Sequence, residues 1–345
     1  AKPRRPRGGP RGPARLGPTG GERRSMPPTK QQREPVDGIL LLDKPKGLTS
    51  NDALVRARRL LNARKAGHGG TLDPMASGLL PLLFGEATKF AHDSLDADKT
   101  YLAELALGTT TDTGDAEGEV LSRRGVDCDD AAFRAAAAAF VGEIEQVPPM
   151  HSALKRDGRP LYEYARAGIV LERAARRVTI RSIETLAFAG SHATIRVCCS
   201  KGTYIRTLAA DIGERLGCGA HLSALRRERV GALSLADAVS LDALEALEPA
   251  ARRARLAPAD ALLAGLPRVE LDAASEARFL HGQKLRAPSS LQGGDLERVR
   301  VYGSRRLLGV AALRAGALVP LRLVATGDGE PTHPEPEAPH EPRHP

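Results

Sequence analysis

The sequence predicts an α/β protein built on a mixed sheet, an α+β arrangement that ends in a small β-rich module. Three observations predict it. Strand-like and helix-like segments interleave from Val36 onward. Residues 177–188 and 192–200 read as two strands separated only by Ala189-Gly190-Ser191, a hairpin that a purely parallel sheet would not contain. Beyond a Pro/Ala/Arg-rich stretch at 248–260, the chain offers short strand-like runs in quick succession.

In chain order, Gly38-Ile39-Leu40-Leu41-Leu42 is an apolar run of strand length, stopped by Asp43-Lys44-Pro45. Thr49-Ser50 offers a helix N-cap, and Leu54, Ala57, Arg58 and Leu61 follow at helical spacing, with Arg58 at the edge of the stripe. A glycine-dense loop covers 67–74. Residues 101–107 alternate and read as a strand, and 129–141 are Ala-rich and helical, with Phe133 and Phe140 on one face. After the hairpin, Lys201-Gly202-Thr203 opens a helix whose buried stripe is Ile205, Leu208, Ile212 and Leu216, ended by Gly217. Further strands are expected at 298–302, 307–311 and 318–324. The domain expectation is therefore a basic disordered tail at 1–34, a catalytic domain at 35–255, a small β domain at 262–325 and a second disordered tail at 326–345.

Composition narrows the function classes. The chain has 345 residues, 41% of them hydrophobic, enough for a sizeable core. No run of apolar residues is long enough to span a bilayer, and the Arg/Pro/Gly-rich start does not read as a secretory signal. The four cysteines, Cys128, Cys198, Cys199 and Cys218, form no C-x-x-C pair. Cys198 and Cys199 are neighbours in a strand and point to opposite faces, so neither a zinc site nor a disulfide scaffold is expected, and a reducing cytoplasm is. The formal charge of +9 is unevenly spread: +8 lies in 1–34, +5 in 35–325 and −4 in 326–345. A basic arm of this kind attracts nucleic acid in a salt-dependent way and permits an RNA partner without identifying one.

Asp73 is the first candidate for chemistry. It lies among Gly67, Gly69, Gly70 and Gly78, where backbone can approach a ligand closely, and Pro74 biases it toward an extended conformation. The segment Gly67-His68-Gly69-Gly70-Thr71-Leu72-Asp73-Pro74-Met75-Ala76-Ser77-Gly78-Leu79-Leu80-Pro81 closely resembles the catalytic motif of the TruB-type tRNA pseudouridine synthases. Other blocks resemble that family in the same order. They are Leu42 to Ser50; Lys99-Thr100-Tyr101 with the loop Gly108 to Asp115; Pro148 to Lys155 with Leu161 to Arg166; Ser200 to Leu208; and Ala220-His221-Leu222 through Leu225-Arg226-Arg227. The resemblance spans 36–325 and departs from the family pattern at Gly69, where Thr is usual, and at His151, where Tyr is common.

The resemblance implies a mixed-sheet pseudouridine synthase domain followed by a PUA-like RNA-binding module, the latter carried mainly by Arg278-Phe279-Leu280-His281-Gly282-Gln283. It implies isomerisation of the T-arm loop uridine of tRNA, without metal or organic cofactor, by a stand-alone monomer. Asp73 would be the essential carboxylate, Arg206 its guanidinium partner, and Tyr101 the ring that stacks on uracil and helps remove the C5 proton. Tyr204 and Leu225 would line the pocket, and His68 would occupy the space left by the flipped base. Lys44, Lys155, Arg226 and Arg227 are candidate phosphate contacts. Four of the five tyrosines fall inside the matched blocks of a chain without Trp, as expected where an extruded base needs a flat apolar face. Two rival readings are an RNA-folding chaperone with an idle site and a metal-dependent hydrolase using His68 and Asp73. The second lacks further ligands at suitable spacing.

Overall fold

The computed structural model describes residues 32–288, 294–304 and 306–324. The expected tails, apart from residues 32–34, lie outside the described residues. Glu34 already belongs to the fold, bridging to Ala63.

The apolar run becomes β1 (Gly38–Lys44), followed by α1 (Ser50–Leu60). Thr49 caps the helix reciprocally with Asp52, each side chain meeting the other's backbone N–H. Next come β2 (Ala66–His68), β3 (Ala76–Phe84), β4 (Lys99–Leu107), α2 (Asp130–Ala138) and β5 (Gly142–Gln146). The hairpin is β6 (Arg176–Ala189) and β7 (His192–Cys199), and it leads through α3 (Ile205–Arg215) to β8 (Ala220–Val230). The large sheet runs in the order Val239–Ser240, β1, β3, β8, β4, β7, β6, β5. It is mixed: β3 and β8 are parallel, whereas β1 and β3, and β8 and β4, are antiparallel. β1 is covered on both faces, with Leu40 and Leu42 in the main core and Ile39 and Leu41 in a second cluster. That explains its unbroken apolar run, since a strand buried on both sides has no polar face to alternate with.

Two central strands were not visible to periodicity. β3 carries Gly78 and Pro81, residues that argue against an interior strand. Gly78 has φ +101°, and a Cβ there would stand 2.4 Å from the Arg227 carbonyl oxygen of β8, so the close approach of the two strands demands glycine. β8 is too polar to read as a core strand, yet it lies between β3 and β4. The stretch expected to be a junction is also structured: Leu256–Ala257 pairs antiparallel with Ile39–Leu40 at the edge of the large sheet.

The small β domain contains β9 (Arg268–Glu270), α4 (Ala273–Leu280), β10 (Leu285–Arg286), β11 (Leu296–Tyr302), β12 (Leu307–Arg314) and β13 (Ala317–Leu323). Its sheet order is β9-β11-β12-β13-β10, around a separate core that includes Phe279, Val299 and Val301. It docks on the large domain through Phe90, Leu263 and Val310, and through the Arg298–Asp93 ion pair at 2.5 Å. Among the described residues no helix is long and apolar enough to cross a membrane.

Candidate active site

The loop before β3 is stapled on both sides of Asp73. The buried Ser50 hydroxyl donates to the Leu72 carbonyl at 3.0 Å and accepts from the Leu72 N–H at 2.8 Å. The Gly47 N–H donates to the Pro74 carbonyl at 2.7 Å, and the Ala76 N–H to that of Asp73 at 3.0 Å. A backbone fixed at 72, 73 and 74 leaves the Asp73 side chain few directions to point. Its carboxylate stands 2.9 Å from Arg206, with 39% of the Asp73 side chain still exposed and only 6% of that of Arg206.

Arg206 lies in the first turn of α3, where the helix dipole opposes a cation. It is held there by four oxygens. Nη1 donates to the Thr113 carbonyl at 2.9 Å and faces the Asp115 carboxylate at 3.5 Å, while Nη2 reaches the His151 carbonyl at 2.6 Å as well as Asp73. Asp115 is itself buried, and its other oxygen accepts from the Thr113 hydroxyl at 2.7 Å and the Glu117 N–H at 3.0 Å. Burying a guanidinium is costly, and pairing it with a carboxylate and satisfying its hydrogen bonds both offset that cost; here both conditions hold. The result is a line of charge, Asp115–Arg206–Asp73, buried at one end and open at the other. Asp115 was quoted in the sequence blocks without a role. Its burial, which marks it, is invisible to spacing.

Asp73, Arg206, His68, His151, Tyr162 and Arg166 line a cleft of about 540 Å³, within the range of small-ligand sites. The Arg166 guanidinium lies 5.3 Å from the centre of the Tyr162 ring. Tyr101, Tyr204 and Leu225, each partly buried, lie on β4, at the start of α3 and on β8, outside the set of residues that line this cleft. The charge of Asp73 nonetheless acts on both tyrosines. Burial raises the Tyr101 phenol above its ordinary 10.0, opposed by the nearby Arg227 guanidinium, and burial likewise raises that of Tyr204. His68 is pulled below 6.5 by burial and then by the Arg227 charge, and its Nδ1 is buried without a hydrogen-bond partner. A neutral ring at pH 7 follows.

Two expected phosphate contacts need correcting. Lys44 is wholly buried, and its ammonium donates to the carbonyls of Pro45 at 2.9 Å and Leu48 at 2.8 Å. Arg227 is 1% exposed, with its donors turned to the carbonyls of Leu79, Thr71 and Gly70. Neither can reach a phosphate from where it stands. Charged residues are usually at the surface, and nothing near either position in the sequence signals the enclosure. Lys155 is exposed on a small hairpin, and Arg226 is partly exposed and paired with Asp43 at 2.7 Å. The departure at Gly69 is also accounted for: Ser94 fills the place of a side chain and donates to the Gly69 carbonyl at 2.7 Å. The loop is filled there by a neighbour's side chain. His151 contributes its carbonyl to Arg206 and its side to the cleft.

Residues 58–205 match the TruB family pseudouridylate synthase N-terminal domain, 206–264 the tRNA pseudouridylate synthase B C-terminal domain, and 267–324 the C-terminal domain of pseudouridine synthase II TruB. The chain is 62% identical over 308 residues to a tRNA pseudouridine synthase B of Burkholderia mallei, covering 87% of this chain and 98% of that protein. To a protein of the same name from Ralstonia nicotianae it is 62% identical over 312 residues, covering 88% and 99%. Among solved structures, it is similar to a chain in the crystal structure of a Cbf5–Nop10–Gar1 complex, at 27% identity and a TM-score of 0.65, covering 84% of this chain and 85% of that one. A chain in an H/ACA RNP bound to a substrate RNA containing 2′-deoxyuridine is similar at 25% identity and a TM-score of 0.65, covering 84% and 86%.

Proposed function

The chain belongs to the TruB family of pseudouridine synthases, and from that premise we propose that its cleft converts the T-arm loop uridine of tRNA to pseudouridine, with Asp73 as the essential carboxylate. The protein is a tRNA-modifying isomerase. The reaction breaks the bond from C1′ to N1 of uracil, turns the base, joins C1′ to C5, releases the C5 proton to solvent and gives N1 a proton in its place. One proton leaves for solvent and one returns, with no change of oxidation state, so neither an oxidant nor an energy source is required.

One observation carries the assignment: Asp73 presents an exposed carboxylate to a nucleotide-sized cleft while a buried guanidinium grips it from behind. A carboxylate at the ribose serves the chemistry either by attacking C1′ or by taking the 2′ proton. The uridine must leave its stack to reach it, a step such enzymes take by extruding the nucleotide. Tyr101 and Leu225 are the apolar surface against which the base settles, and Tyr101 helps remove the C5 proton. Neutral His68 takes up the space the base vacates. Lys155, Arg166 and Arg226 meet phosphates and set the register of the RNA. The small β domain holds a flank of the RNA, as a PUA-like module would, and the enzyme works as a monomer in the cytoplasm. Among the described residues no group of three His, Cys, Asp or Glu side chains is arranged for a metal.

The test is incubation of a T-arm stem-loop with the protein, followed by chemical marking of pseudouridine and primer extension. A single stop at the loop uridine is expected. Stops at other uridines only, or none, would overturn the assignment of substrate.

A further inference from the structure

Besides Lys44, the most deeply buried cation outside the Asp115–Arg206–Asp73 line among the described residues is Arg227. It sits on β8 directly across from Tyr101 on β4 and, on the other side, beside Gly78 on β3. Its guanidinium spans the back of the catalytic loop. Nε donates to the Leu79 carbonyl at 2.8 Å, Nη1 to that of Thr71 at 3.3 Å and Nη2 to that of Gly70 at 3.3 Å. Gly70 has φ +119° and Thr71 is two residues before Asp73, so the fork holds the turn that launches the acid. The same side chain stands across the strand pair from Tyr101 and lowers that phenol's pKa in opposition to burial.

No ion pair to Arg227 is present among the described residues. A guanidinium 1% exposed and held by neutral carbonyls is a costly arrangement, and an apolar side chain of similar volume would fill the space more cheaply. Its geometry answers what the cost secures. Five donors in a rigid plane can grip backbone at two loop residues and one strand residue at once, which lysine cannot do. The backbone on the other side is fixed too, since a Cβ at Gly78 would collide with the Arg227 backbone. The cation is thus locked at its root and its tip.

We propose that Arg227 is a positioning residue for the pseudouridine reaction: it holds the Gly70–Thr71 turn and the Tyr101 ring in a single arrangement, so that the Asp73 carboxylate and the phenol meet the same extruded uridine. The proposal rests on the assignment of Asp73 above. It also replaces the phosphate contact that charge alone suggested for this residue. Small misplacements of a reacting group cost rate steeply, so the loss belongs in the chemical step and not in RNA binding.

The experiment compares wild type, Arg227→Met and Arg227→Lys on a T-arm stem-loop labelled with tritium at C5. It measures single-turnover rate at saturating protein, RNA dissociation constant, and the slope of that constant against salt. Rates are counted per RNA-binding-competent molecule, so that a partly unfolded preparation does not mimic a slow one. For Arg227→Met, we expect a single-turnover rate about 100-fold lower, RNA affinity within about threefold of wild type, and an unchanged salt slope. Arg227→Lys, which keeps the buried charge and loses the fork, should recover only a small part of the rate. The proposal is overturned if the rate per competent molecule is unchanged. It is equally overturned if the loss lies in affinity with a salt slope smaller by about one, the signature of a lost phosphate contact. Failure of wild type itself to release tritium would instead reject the assignment on which the proposal rests.

Discussion

At the scale of single residues, charge placement separates the groups that act from those that hold. Asp73 keeps an open face, whereas Asp115, Arg206, Lys44 and Arg227 are enclosed. Lys44 offers a test through pH. Burial pulls its pKa from 10.5 down to about 8, with the charge of Asp73 opposing the shift. Below about 8 both folded and unfolded chains carry the proton, and the folded chain bears the full cost of burying it. Between about 8 and 10.5 the unfolded chain binds more protons, so stability from this group rises with pH. Urea unfolding of wild type and Lys44→Met at pH 7 and pH 10 should therefore show wild type gaining on the variant by about 2 kcal/mol. A difference that stays constant would contradict the buried ammonium. The motifs in the sequence pointed to Asp73 and Arg206, and the structure brings the two into an ion pair. The sequence misjudged Lys44 and Arg227 because the enclosure of a long charged side chain depends on what packs over it, and nothing local to 44 or 227 records that.

At the scale of elements, the catalytic loop is shaped by its neighbours. A Cβ at Gly69 would stand 2.1 Å from the Ser94 hydroxyl oxygen, which already binds the Gly69 carbonyl. Gly69→Ala should lower stability by about 1–3 kcal/mol through overpacking. Adding Ser94→Gly should recover most of the loss, an interaction between substitutions that distant sites do not show. Thermal unfolding of the two single variants and the double variant checks it, and simple additivity would rule out the contact. β1, β4, the hairpin and α3 were legible because apolar pattern and turn residues agree there. β3 and β8 were not, since Gly78, Pro81 and the run Arg226-Arg227-Glu228 break the pattern where the two strands press together to build the site.

At the scale of the whole molecule, the core of the β domain meets the large domain through a third apolar cluster and polar contacts. Arg298 of the β domain grips Asp93 with both nitrogens, at 2.5 and 3.1 Å, and Lys89 donates to the Leu323 carbonyl at 3.0 Å. Asp93 is 11% exposed in its side chain and Arg298 39%, so screening takes part of the pair's worth. Arg298→Ala should cost about 1–2 kcal/mol, since it leaves a nearly enclosed carboxylate unpaired. In urea unfolding the midpoint should fall, and an unshifted midpoint would show that the apolar contact alone docks the domain. The existence of a C-terminal β domain could be read from its strand-like runs. Its attachment could not, because Asp93 and Arg298 are distant in sequence and carry no shared pattern.

The central claim is that the Asp73 carboxylate performs the isomerisation, and one assay addresses it directly. Wild type and Asp73→Asn, a change that keeps the side chain's size, are compared for tritium release from a T-arm stem-loop labelled at uridine C5, together with their affinity for that RNA. The account predicts release by wild type, none above background by Asp73→Asn, and binding by both. Release by Asp73→Asn at a rate near that of wild type would contradict it.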